Sequence, residues 1–254
     1  GSQNYYFIVS AIIGFILIIF NACTAGIGNS LIVETQEKNF NDLKKITFLI
    51  AWLAGVCSCC FLCLFQPFMM LWMGEEYLLP FSAVICLVIY YFVYEINQLL
   101  NTYKDAGGIW RQDRFRPLVT AGANLCMNLI MVQFWGIYGI LLSTVLSMLI
   151  VGMPWLLYNL FNTMFNTEFL PEYLRKLLFY TGMTAVSCFI SCSLCHLIPY
   201  DGIAKLALCF FAGVSVPNIL FFICYHKMKE FQECAELIDK MTKGKLHLKE
   251  KFCQ

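Results

Sequence analysis

Long uncharged runs of apolar residues, separated by short charged segments, set the pattern of this chain. No Asp, Glu, Lys or Arg occurs over 1–33, 46–74, 117–167 or 206–225. Such runs are long enough to cross a hydrocarbon layer of ~30 Å, which takes ~20 residues of helix. The pattern predicts an all-α, polytopic membrane helix bundle of about seven spans: Tyr5–Ile32, Leu43–Met73, Phe81–Tyr103, Pro117–Phe134, Ile137–Asn159, Leu174–Leu197 and Ile203–His226. Gly136 and Gly139 divide the longest run into two helices with a very tight turn. Pro117 suits the first turn of the fourth span, while Pro67, Pro154 and Pro217 fall where they would kink helices. Phe231, Ala235, Ile238 and Met241 recur at helical spacing, so the tail is expected to hold an amphipathic helix. The chain divides into a membrane bundle, 1–226, and a cytoplasmic tail, 227–254.

Charge fixes an orientation. Lys38, Lys44 and Lys45 follow span one; Lys104, Arg111, Arg114 and Arg116 follow span three; Arg175 and Lys176 precede span six. Lys227, Lys229, Lys240, Lys243, Lys245, Lys249 and Lys251 follow span seven, so sixteen of the seventeen basic residues share one side and Lys205 alone lies opposite. The positive-inside rule assigns that side, and the C-terminus with it, to the cytoplasm. The segment Gly74–Pro80, with Glu75 and Glu76, then faces outward. Span one would start outside, which is expected if further helices precede it in a larger transporter-like protein.

Composition adds mainly exclusions. Hydrophobic residues make up 60% of the chain, mean hydropathy is +0.70 and the net charge is +1. No basic stripe with interleaved aromatics points to nucleic acid. No P-loop supports nucleotide hydrolysis. His196, His226 and His247 are scattered, and no Cys–His set has zinc-ligand spacing in a polar loop. The fourteen cysteines lie mostly in apolar runs and read as small hydrophobes rather than a disulfide framework. An enzyme is not expected, nor is a cofactor.

Against this background Glu95 is the one acid inside an apolar span. A carboxylate at such depth costs a few kcal/mol, so it points to a proton or cation pathway. The alternative is a buried polar residue bonded to a neighbouring helix. Tyr94, Glu95, Asn97, Gln98, Asn101 and Thr102 share about half of the helix circumference. Thr120, Asn124 and Asn128 stripe span four, and Asn21, Thr24 and Asn29 do so on span one. Together they suggest a hydrophilic cavity, or else interhelical hydrogen bonds needing no substrate. On the loop before span four, Arg111, Arg114 and Arg116 offer forks suited to phosphate. The alternative is that they hold the loop inside, paired with Asp105 and Asp113.

The stretch Tyr103–Leu118, with Asp105-Ala106-Gly107, Trp110, Asp113-Arg114 and Arg116-Pro117, resembles a loop of the bacterial Wzx-type polysaccharide flippases. Asn124 and Asn128 resemble that family's spaced asparagines, and Phe134-Trp135-Gly136-Ile137-Tyr138-Gly139-Ile140 its turn; segments 20–29 and 71–77 are also similar. The resemblance covers most of Tyr5–Met153. It implies the fold of the C-terminal lobe of exporters like the MATE transporters and the lipid II flippase MurJ, with the N-terminal lobe as a missing partner. The implied substrate is an undecaprenyl-pyrophosphate-linked oligosaccharide, moved across the bacterial cytoplasmic membrane by alternating access with H+ or Na+ as coupling ion. Arg111, Arg114 and Arg116 would meet the pyrophosphate, Asn97, Asn101, Asn124 and Asn128 would line a cavity for sugars, and Glu95 would carry the ion. A drug/cation antiporter of the same superfamily, or a membrane polysaccharide polymerase or acyltransferase, are the alternatives.

Overall fold

The computed structural model describes residues 10, 35–200 and 202–241. The expected first span, Tyr5–Ile32, and with it Asn21, Thr24 and Asn29, lies outside the described residues. The described chain is helical: α1 Gln36–Trp72, α2 Phe81–Ala106, a single turn α3 Trp110–Asp113, α4 Arg116–Trp135, α5 Ile137–Ser147, α6 Met153–Thr163, α7 Leu170–His196, α8 Gly202–Tyr225 and α9 Lys229–Met241. Six stretches are long and apolar enough to cross a membrane, α5 and α6 counting as one.

The ends of these helices follow local chemistry. Thr35 caps α1, its hydroxyl accepting from the Lys38 amide at 3.4 Å. At ~1.5 Å per residue, the 37 residues of α1 extend for about 55 Å, well beyond the hydrocarbon. Its charged first two turns are the seven residues by which the helix precedes the predicted Leu43. Between α5 and α6 the backbone forms one π turn, Met148–Gly152. Pro154 sits just beyond it, in the first turn of α6; the wider turn absorbs a residue that cannot donate to the ladder. Gly136 ends α4 at φ 55°, and its amide still reaches the Val132 carbonyl at 2.9 Å. Gly139 lets the hairpin close: a Cβ there would sit 2.3 Å from the Met131 carbonyl oxygen. The tight turn predicted at these two glycines is therefore present.

Helix α1 is the axis of the bundle, packed by α2, α7 and α8, with α5 and α6 lying against α2 and α4 paired with α5. Aromatic rings weld the basic ends of α1, α7 and α8 together. Phe48 meets Trp52, Tyr180 and Tyr225 edge-on at 5.5–5.9 Å, and Trp52 Nε1 donates to Asn218 Oδ1 at 2.9 Å. In lipid the gain comes from dispersion and such bonds rather than from leaving water.

Helix α9 folds back onto this end. Its Phe231 stacks on Trp52, Cys234 and Ala235 are buried, and Glu233 pairs with Lys45 at 3.2 Å. Glu230 is buried against Lys176. The amphipathic tail helix expected from Phe231 and Ala235 is thus docked, not free. Lys44, Lys45, Lys176 and Lys229 gather at one end of the bundle, and Lys205 lines a cavity at the other. The bundle is as lopsided in charge as the sequence indicated.

Candidate functional site

Glu95 lies on α2 about 21 Å along from Phe81 and about 16 Å before Ala106, counting ~1.5 Å per residue. It is fully buried, and among the described residues neither carboxyl oxygen has a hydrogen-bond partner. Its near neighbours are Tyr91, one turn back on the same helix, and Cys57 of α1. The expected alternative, a carboxyl bonded to an adjoining helix, finds no partner among the described residues. A bare carboxylate without donors costs several kcal/mol in such surroundings. Neutralisation removes that cost, either by a proton on the carboxyl or by a cation beside it.

The rest of the α2 stripe behaves differently. Gln98 donates to the Tyr94 hydroxyl at 2.7 Å, Thr102 to the Gln98 carbonyl at 3.0 Å, and Asn101 Nδ2 to the Asn97 carbonyl at 2.9 Å. These bonds run within one helix, although the Asn101 side-chain oxygen also accepts from outside it. Asn97 is the exception: it is buried and its Oδ1 is unpartnered. On α4, Asn124 is half-buried and reaches Ser147 Oγ at 3.3 Å, and Asn128 is half-buried. Three cavities lie elsewhere in the bundle, lined mainly from α1, α2, α7 and α8. Whether the stripes of α2 and α4 meet that of Tyr5–Ile32 is a matter outside the described residues.

The three loop arginines split into two roles. Arg116 is buried and bound. Its Nε donates to both carboxylate oxygens of Asp113 at 2.7 and 2.9 Å, and its NH2 group to Asn101 Oδ1 at 2.8 Å. Asn159 of α6 donates to the same Asp113 at 3.1 Å and to the Gln112 carbonyl at 3.4 Å, while Lys104 stands 3.8 Å away. This clasp ties the ends of α2, α4 and α6 to the turn α3. Arg116 and Asn101 are therefore engaged in the clasp in this structure, and their expected place among the residues meeting the substrate stays an expectation. The cause is Asp113, whose buried carboxylate needs a cation at hand and shares the one Nε–H of Arg116 between its two oxygens. Lys104 also pairs with Asp105 at 2.9 Å and lies over the Trp110 ring.

Arg111 and Arg114 remain exposed on the rim of this clasp, and Arg114 rests on the Phe115 ring at 4.5 Å. Neither makes a salt bridge among the described residues. With exposed Trp110 and Phe115 they form an aromatic and cationic edge at the basic end, of the kind that sits at a membrane interface. The clasp gives that edge a fixed position, and the fork of each guanidinium is open to an anion.

Fold and charge pattern together define a multi-pass helical membrane protein, with one bare acid deep inside and a braced cationic loop at one end. A scan of family models and searches of curated proteins and of solved structures found no match to the chain.

Proposed function

We propose that the chain acts in the export of an anionic lipid-linked oligosaccharide, carrying an undecaprenyl-pyrophosphate-type headgroup from the inner to the outer leaflet of a bacterial cytoplasmic membrane by ion-linked alternating access. The observation that carries the transport reading is Glu95, buried in an apolar span with both oxygens unbonded among the described residues. A group of this kind binds its proton or cation differently in two conformations, and that difference is what shifts an inward–outward equilibrium. The headgroup assignment rests on the resemblance of Tyr103–Leu118 to the flippase loop and on the open forks of Arg111 and Arg114. Asn97, with a free carbonyl oxygen, is the α2 residue best placed for a polar ligand, and Asn124 and Asn128 stay in the proposal as half-buried amides of α4. The basic end, with α9, lies in the cytoplasm on this reading.

Deleting the gene tests the proposal. Loss of the surface glycan with accumulation of its lipid-linked precursor on the inner leaflet is expected. Unchanged glycan display with no accumulation would overturn it. The same carboxyl would serve a drug/cation antiporter, and Glu95 is the observation in favour of that second reading. Accumulation of a small cationic drug in the deletion strain, with normal glycan, would decide for it.

A further inference from the structure

Three helices bring cysteines to one level at the end of the bundle opposite the lysines. Cys63 of α1, Cys195 of α7 and Cys209 of α8 form a small buried cluster of their own, apart from the main core. Cys195 packs with both of the others in this cluster. Deeper on the same two helices, one turn down on α1 and about two turns down on α7, Cys59 Sγ and Cys188 Sγ are 3.5 Å apart. Helices α1 and α7 run in the same direction, so Cys63 and Cys195 both lie further toward the end away from the lysines. All described cysteines are free thiols, and no three metal-ligating side chains converge among the described residues.

The upper rung differs from the lower in access. Cys63, Cys195 and Cys209 line a cavity of about 420 Å³, together with exposed His196 and with Lys205. Gly202, Leu71 and Leu78, which flank the interhelical turns, complete its rim. Cys59 has no exposed surface and is not part of that lining.

We propose that this cavity is a dithiol exchange site, where a small-molecule or protein disulfide converts Cys63 and Cys195 into a disulfide joining α1 to α7. Cys195 attacks one sulfur of the incoming disulfide, forming a mixed disulfide and releasing one thiol. Cys63 then attacks the Cys195 sulfur, closing the Cys63–Cys195 bond and releasing the second thiol. Two protons pass from the cysteines to the two departing sulfurs; the protein dithiol is oxidised and the incoming disulfide reduced. Exchange needs the attacking and receiving sulfurs to approach one another, and the shared cluster of Cys63, Cys195 and Cys209 brings them together. Cys63 closes the bond because it packs with Cys195 in that cluster, and closure then takes an approach to the ~2.0 Å of a disulfide. The positive-inside rule places this end outside the cytoplasm, where disulfide donors act. The inference stands on the cluster and its cavity and does not need the transport reading.

The test uses the full-length protein purified in detergent, with exposed Cys126 and Cys224 and the undescribed Cys23 and Cys253 replaced by Ala. It is treated with 2-hydroxyethyl disulfide and read by intact mass and peptide mapping. The expected result is loss of two hydrogen masses and a Cys63–Cys195 linked peptide pair. Cys63→Ala should instead stop at the mixed disulfide on Cys195, and Cys195→Ala should prevent the linked pair. Cys209→Ala should leave it intact, with helical circular dichroism as the control for folding in each case. A protein that stays fully reduced would overturn the proposal. So would a bond found at Cys59–Cys188 or Cys195–Cys209 instead, or a linked pair that survives Cys195→Ala at another site.

Discussion

Replacing Asp113 by Asn tests the clasp that holds the arginine loop. The Asp113 and Arg116 side chains are 4% and 9% exposed, so the pair is buried, and the carboxylate takes two bonds from Arg116 and one from Asn159. The substitution keeps the shape and an acceptor oxygen, but leaves the Arg116 guanidinium buried without a countercharge. Lys104 keeps Asp105 and is not stranded. Removing one partner of a buried, hydrogen-bonded ion pair costs ~3–5 kcal/mol. Asn101 and the retained amide hold part of the network together, so the low end, about 3 kcal/mol, is expected, or roughly a hundredfold in the folding equilibrium. The assay is reversible unfolding of the detergent-solubilised protein by SDS. Arg116→Gln alone should cost about as much, and the double variant clearly less than the sum, because the two changes delete one interaction. A loss under about 1 kcal/mol for Asp113→Asn, or strict additivity in the double variant, would refute a buried clasp.

Other consequences follow from individual contacts. Gly139→Ala drives a Cβ to 2.3 Å from the Met131 carbonyl, so the α4–α5 hairpin must splay; a loss of ~3 kcal/mol or more in the same unfolding assay is expected. Arg111→Ala with Arg114→Ala should lower glycan export several-fold at unchanged protein level, since both guanidiniums are exposed; unchanged export would remove them from substrate contact. Burial pushes the Cys234 thiol on docked α9 up to about 12. The thiolate is the reactive form, so alkylation of Cys234 should be slow at neutral pH and rise only as pH approaches that value. Lys176→Ala strands the buried Glu230 carboxylate, releases α9 and should make Cys234 react at least tenfold faster at neutral pH; an unchanged rate would mean that the pair does not hold the helix.

What could be seen in the sequence was what depends on local pattern. Period and charge located α2, α4, α7 and α8 to within a few residues, because a membrane span must be apolar for its whole length, and missed the charged first two turns of α1. The turn at Gly136 and Gly139 was legible because only glycine tolerates that backbone and that approach. The clasp was not. Asp113 and Asn159 are 46 residues apart, and nothing in the spacing of either says that α6 will bring its amide to the turn α3. The polar face of α2 was visible, but its meaning was not: Gln98 and Thr102 bond along their own helix and Asn101 reaches both its own helix and Arg116, and only side-chain geometry separates them from Glu95 and Asn97. The thiol rungs of α1 and α7 read as small apolar residues one at a time; their register exists only once the two helices are side by side.

The most direct measurement of Glu95 is transport by reconstituted vesicles of the full-length protein under an imposed proton or sodium gradient, with a fluorescent lipid-linked oligosaccharide as cargo. If the buried carboxyl carries the coupling ion, wild-type flux should follow one of the two gradients. Glu95→Gln, folded as judged by circular dichroism, should move cargo at a low rate that ignores both. Gradient-driven flux in Glu95→Gln equal to that of the wild type would contradict the role assigned to this residue.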